Sequence, residues 1–149
     1  MDAALRYLTN APRTVREVER RLDDLEFGEV ETAAVVERLE ELGLLNDESY
    51  CREFVSSRLR TKPVSRRHLY EQLRNHEAQE TAIEAALAQV DDETEFQNAC
   101  LVAEKYARQF EALSPEEREN RLTKRLLGRG FDYDHTRRAI ESLKPEDGE

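Results

Sequence analysis

Residues 44–73, LLNDESYCREFVSSRLRTKPVSRRHLYEQL, decide how the rest of the chain is read. They hold, in order, a helix stop, a capped amphipathic helix, a basic turn interrupted by Pro63, and a second amphipathic helix restarting at Ser65. Asn46 or Asp47 can cap the first of these helices, expected over about Asp47–Arg60. Its apolar positions Tyr50, Cys51, Phe54, Val55 and Leu59 recur at helical spacing, and Leu69 and Leu73 do the same in the second. No Asp or Glu lies between Arg58 and His68, so Arg58, Arg60, Lys62, Arg66 and Arg67 form the densest positive stretch of a chain whose formal charge is −10.

Pieces of this arrangement recur on both sides. Upstream, a short helix over about Ala3–Thr9 ends before Pro12, and Thr14-Val15-Arg16-Glu17 fits a capping box opening a helix with Val18, Leu22 and Leu25 inward. A third helix, about Glu31–Leu42, carries Val35, Val36, Leu39 and Leu42 inward and stops at Gly43. Downstream, a helix from about Gln79 buries Ile83, Leu87 and Val90. Asp91 and Asp92 cap a long helix over about Glu93–Ala112, some 30 Å at 1.5 Å per residue. Ser114-Pro115-Glu116-Glu117 starts the next helix, which runs to Gly128. Asp134 caps a last one holding Ile140 and Leu143, and Lys144 onward reads as a polar, frayed tail.

Three helices thus occur three times. Val18, Leu69 and Leu122 align, then Leu22, Leu73 and Leu126, then Phe27, Ala78 and Phe131. Val35, Ile83 and Thr136 follow, then Leu39, Leu87 and Ile140, then Leu42, Val90 and Leu143. Thr136 alone is polar. The expectation is an all-α tandem array of three three-helix repeats, 1–46, 47–90 and 91–149, elongated and curved like a short solenoid.

Composition agrees with helices and narrows the function classes. The charged share is 38%, equal to the hydrophobic share, with only 5 Gly, 4 Pro and no Trp. No apolar run approaches the roughly 20 residues a membrane span needs, and the first residues are too polar for a signal peptide. Cys51 and Cys100 are isolated and read as small core residues, which points to a reduced, cytoplasmic protein. The net charge argues against unaided non-specific nucleic-acid binding, which depends on Lys and Arg neutralising phosphates.

Charge is distributed by helix. The middle helix of each triplet is basic: Arg13, Arg16, Arg20 and Arg21 in the first; Arg58, Arg60, Lys62, Arg66, Arg67 and Arg74 in the second with its approach; Arg118, Arg121, Lys124, Arg125 and Arg129 in the third. The closing helices are acidic, with ten acids and only Arg38 over 23–48, and seven acids and no base over 77–95. Solvation and i,i+4 pairing account for part of this. Separation of the two signs by helix predicts a basic stripe beside an acidic flank.

Nothing points to catalysis, a metal or a cofactor. His68, His76 and His135 stand in unrelated contexts, and no HExxH, CxxC, phosphate loop or nucleophile elbow occurs. His68 reads as a helix-surface histidine, and Asp132-Tyr133-Asp134-His135 as a helix start. Most of the five tyrosines fall at core or half-buried spacing. Tyr70, between Arg67 and Arg74, is the one placed near a partner.

Gly43-Leu44-Leu45-Asn46-Asp47 with Tyr50, Phe54, Val55 and Arg58 resembles the central repeat of the RecX family, whose pattern is G-Y/L-L-D-D-x-x-F/Y-A-x-x-F/W-V/I-x-x-R. ALRYL with RTVREVERRL resembles the family's first block, and RLLGRGFDYDHTRRAI its last, so the resemblance spans nearly the whole chain in three ordered blocks. Pro63 and Ser65 stand where the family carries glycines, and Glu26 and Glu77 replace turn glycines retained only at Gly130. The resemblance implies a protein that is not an enzyme, lodges in the groove of the RecA–DNA filament and restrains ATPase, strand exchange and coprotease activity. Arg16, Arg20, Arg58, Arg60, Lys62, Arg66, Arg67, Tyr70, Arg74, Arg121, Lys124 and Arg125 are then the filament-facing set. A monomer is expected, with single-stranded DNA reached through the filament and weak direct DNA binding. Competing readings are a helix-turn-helix-like DNA-binding regulator and a helical adaptor of another partner.

Overall fold

In the computed structural model, which describes residues 1–143, the chain is all helical; the tail expected from Lys144 lies outside the described residues. The described residues form α1 Asp2–Asn10, α2 Val15–Asp24, α3 Glu29–Glu41, α4 Asp47–Thr61, α5 Arg66–Asn75, α6 Glu80–Leu87, α7 Asp92–Gln109, α8 Pro115–Gly128 and α9 Tyr133–Glu141, with no strand among them. None of these helices is long and apolar enough to cross a membrane.

Caps legible in the sequence set most helix starts. Thr14 accepts from the Glu17 amide while the Glu17 carboxylate accepts from the Thr14 amide, closing the capping box of α2. Asp91 accepts from Thr94 at the start of α7, and Ser114, ahead of Pro115, accepts from Glu117 at the start of α8.

The helix ends carry the repeat more plainly than the apolar alignment does. After α2 the Glu26 amide donates to Asp23 O at 2.9 Å and the Phe27 amide to Leu22 O at 3.0 Å. After α5 the amides of Glu77 and Ala78 donate to Arg74 O and Leu73 O, and after α8 those of Gly130 and Phe131 donate to Leu127 O and Leu126 O. Glu26, Glu77 and Gly130 hold φ of 69°, 60° and 93°. Each middle helix therefore ends in the same left-handed turn, which pairs two otherwise orphaned carbonyls. At Gly130 a Cβ would collide with Ser65 Oγ and press on His68 Cβ.

Several local expectations are corrected. Helix α7 stops at Gln109, three residues early, because Phe110–Leu113 turn the chain toward the Ser114 cap. Asp132, not Asp134, caps α9; Asp134 sits in the first turn, where it pairs with Arg137 and Arg138. Of the two caps expected for α4, Asn46 is the one used, through the Ser49 amide, which agrees with the sequence. Ala4 faces the core from α1, and in α3 Val36 and Leu39 point inward while Leu42, at the C-terminal cap, is 49% exposed. Phe27 is exposed although its equivalent Phe131 is buried, and Thr136 is as buried as Ile83, with which it aligns.

The chain divides into two compact units, residues 1–55 with 71–86 and residues 56–70 with 87–143 of the described chain. The first is built on Ala4, Val18, Leu22, Val36, Leu39 and Leu45, with Tyr7, Leu8 and Val15 packed against them. Its polar tie is Asp47, buried, whose two carboxylate oxygens accept from the Val15 amide at 2.9 Å and the Gln79 amide at 3.0 Å. One carboxylate thereby joins the starts of α2 and α6. In the second unit α7, α8 and α9 pack on one another around Ala99, Val102, Ala103, Tyr106, Leu122, Leu126, Phe131, Ala139 and Ile140.

Candidate partner-binding face

The second unit builds a cationic face on an aromatic base. Tyr106 in the last turn of α7 and Phe110 at its C-terminal cap stack with ring centroids 6.0 Å apart and planes inclined by 23°. Against them α8 lays its basic side chains, because Arg121, Lys124 and Arg125 fall at i, i+3 and i+4. The Arg125 guanidinium lies 4.4 Å from the Tyr106 centroid and 5.9 Å from that of Phe110, and Arg121 lies 6.0 Å from Phe110. A guanidinium stacked through its face keeps its edge donors for a carboxylate or phosphate.

Arg129, in the turn after α8, fastens this face to the basic turn of residues 62–65. Its Nη2 donates to the Tyr106 hydroxyl at 2.6 Å and its Nη1 to the Pro63 carbonyl at 3.0 Å. Its own carbonyl accepts from the Ser65 amide at 3.1 Å. Burial alone would push the Tyr106 phenol up, but the charges of Arg129, Lys105 and Arg125 and the Arg129 hydrogen bond outweigh it, leaving the phenol below its ordinary pKa.

The residues singled out in the sequence have unequal surroundings. Arg121, Lys124 and Arg125 are exposed, and among the described residues no carboxylate lies within 4.0 Å of their charged nitrogens. Arg60 and Lys62 are exposed in the same unit, likewise without an ion pair among the described residues. Arg66 is held at the start of α5: its amide donates to Glu95 and its Nε to the Leu87 carbonyl at 3.2 Å. Arg58, Arg67, Tyr70 and Arg74 each have interaction partners within the molecule. In the first unit, Arg16 pairs with Glu19 at 3.3 Å and Arg20 with Glu77 at 2.6 Å.

Sequence reasoning missed Tyr106, Phe110 and Arg129 as parts of this face. Their signal was present as two spacings, the i,i+4 aromatic pair at the end of α7 and the run Arg121, Arg125, Arg129 at four-residue intervals. Asp47 was taken only as a possible cap for α4, since nothing local shows that its carboxylate reaches two other helices.

The histidines are apart from this face or bound up in structure. His76 Nδ1 lies 2.9 Å from Glu17 Oε2, with its ring against Tyr50 and Phe54. His135 is buried, contrary to any surface role, with Nε2 2.9 Å from Asp92. His68 is half-buried, and Tyr133, against the trend expected for the tyrosines, is 73% exposed. Among the described residues no three His, Cys, Asp or Glu side chains converge on a metal-sized site.

The sequence model of the RecX third three-helix domain matches residues 93–140, and that of the first three-helix domain matches residues 1–39. The chain is 31% identical to Regulatory protein RecX of Streptomyces coelicolor, over 97% of this chain and 77% of that one. It is 29% identical to Regulatory protein RecX of Prosthecochloris aestuarii, over 96% and 92% of the two chains. The crystal structure of RecX from Lactobacillus salivarius matches it with a TM-score of 0.81 at 28% identity, covering 95% of this chain and 92% of that one. With the three equivalent helix-end turns in place, these likenesses settle the membership: the chain belongs to the RecX family of regulatory proteins.

Proposed function

We propose that this protein modulates RecA, binding the RecA–DNA filament through the cationic face of α8 and restraining the ATPase, strand-exchange and coprotease activities of the recombinase. The observation that carries the reading is the row Arg121, Lys124 and Arg125, exposed and without a carboxylate partner among the described residues in a chain that has 33 acids to offer. Such a row meets an acidic protein surface or phosphates with little competition from its own chain. Membership of the RecX family supports the same partner.

In this reading Arg60 and Lys62 extend the face through the turn that Arg129 holds. Arg16, Arg20, Arg58, Arg66, Arg67, Tyr70 and Arg74 complete the filament-facing set. The working repeats are the three triplets 1–46, 47–90 and 91–149. The protein acts in the cytoplasm as a binding protein without chemistry of its own, and reaches single-stranded DNA mainly through the filament. The test is RecA's single-strand-DNA-dependent ATPase with the protein titrated in. A saturable fall in rate is expected; an unchanged rate at saturating protein would overturn the proposal.

A further inference from the structure

The first unit carries a groove of about 380 Å³ between α2 and α3, lined by Asp23 and Glu29 with Phe27, Thr32 and Ala33, and by Arg16, Glu19 and Arg20. Both arginines of the groove are already paired, Arg16 with Glu19 and Arg20 with Glu77. Asp23 and Glu29 have no Lys, Arg or His within ion-pair distance among the described residues, and neither do Asp24, Glu26 and Glu31 around them. The turn between the helices and the first turn of α3 also hold three large apolar side chains outward: Leu25 is 43% exposed, Phe27 37% and Val30 85%.

Carboxylates beside an aromatic ring and methyl groups suit one class of ligand, a long cationic side chain. The aliphatic stem lies on the phenyl ring and the charged end reaches the acids. A complementary surface exists on this very chain: the α8 face, where Arg121, Lys124 and Arg125 stand at i, i+3 and i+4 without carboxylate partners among the described residues.

We propose that copies of this chain pack head to tail, the cationic α8 face of one copy seated on the acidic, Phe27-floored α2–α3 groove of the next. The two surfaces differ, so the contact is heterologous and can extend to further copies. Exposed ion pairs contribute little each, so the assembly is weak and salt-sensitive. It draws on the cations assigned above to the filament, so partner binding and self-association compete. The inference itself does not rest on the filament reading.

Sedimentation velocity of the full chain over a concentration series tests it. At low salt the sedimentation coefficient should rise with concentration, and added salt should abolish the rise. Asp23→Lys/Glu29→Lys and Arg121→Glu/Lys124→Glu variants, with circular dichroism to show that they remain helical, should each lose the rise when alone. Mixed in equal amounts they should regain it, because each then offers the other a complementary face. A wild-type coefficient flat with concentration at low salt, variants that associate as wild type does, or a mixture that stays monomeric would each overturn the proposal.

Discussion

The hydroxyl of Tyr106 accepts a 2.6 Å hydrogen bond from Nη2 of Arg129, while the other arm of the same guanidinium holds the Pro63 carbonyl at 3.0 Å. One planar side chain thus fastens α7, the turn after α8 and the basic segment ahead of α5. The geometry depends on two donors pointing apart in a fixed fork.

Lysine at position 129 keeps the charge and loses the fork. Arg129→Lys should destabilise the protein by about 1–3 kcal/mol, since at least one half-buried acceptor is left unpaired. Tyr106→Phe should cost about 1 kcal/mol. The double substitution should cost less than the sum of the two, because the groups share one bond. Urea unfolding measures all three; strict additivity would show that the contact contributes nothing.

Asp47 supplies a second test, in the first unit. Asn in its place keeps one acceptor oxygen but turns an NH₂ group toward the amide of Val15 or Gln79, both of which now donate to the carboxylate. Asp47→Asn should destabilise by about 1.5–3 kcal/mol, the range for a hydrogen bond to a charged group. Asn46→Ala, which removes only the α4 cap, should cost about 1 kcal/mol.

The three left-handed turns respond in opposite directions to substitution. Glu26→Gly relieves a backbone conformation that costs a side-chain-bearing residue roughly 1–2 kcal/mol, offset in part by the entropy of glycine in the unfolded chain. A rise in Tm of a few degrees is expected. Gly130→Ala should lower Tm, since the new Cβ meets Ser65 and His68 as well as an unfavourable φ.

Alkaline pH should unfold the first unit for an identifiable reason. Burial, with Asp47 nearby, pushes the Cys51 thiol from 9.0 up to about 11. Burial first, then Glu17 and other charges, push the Tyr50 phenol from 10.0 up to about 12. Both groups are held protonated in the fold, so the unfolded chain binds fewer protons between the two values and stability falls as pH rises from about 9 to about 12. In urea titrations, Tyr50→Phe should flatten the upper part of that fall. Iodoacetamide at pH 8 should label half-buried Cys100 and spare Cys51 until the protein unfolds; equal labelling of both would contradict this account.

For the filament reading, Arg125→Glu should weaken binding to RecA–DNA filaments by about tenfold or more, because it reverses, at the centre of the face, a charge with no carboxylate partner among the described residues. Arg16→Glu should change affinity less than threefold, a loss of under about 0.7 kcal/mol, since that arginine is engaged by Glu19. Fluorescence anisotropy on labelled single-stranded DNA coated with RecA gives both values. The reverse ranking would move the contact to α2.

What the sequence determined by itself is what neighbours along the chain decide. Thr14 with Glu17 and Ser114 with Pro115 fix helix starts locally, and the spacing of Val18 and Leu22, Leu69 and Leu73, Leu122 and Leu126 fixes which faces are buried, so the helices and their triplet rhythm were readable. The positions of Glu26 and Glu77 were also readable as turns, although their side chains gave no hint of a left-handed backbone. Only the tertiary structure decided which charges are engaged. Arg20 and Arg125 look alike in sequence, yet one meets Glu77, fifty-seven residues away, and the other meets the rings of Tyr106 and Phe110. Ion pairing and burial depend on groups distant in sequence, and a repeating pattern of arginines cannot say which of them the fold will already have satisfied.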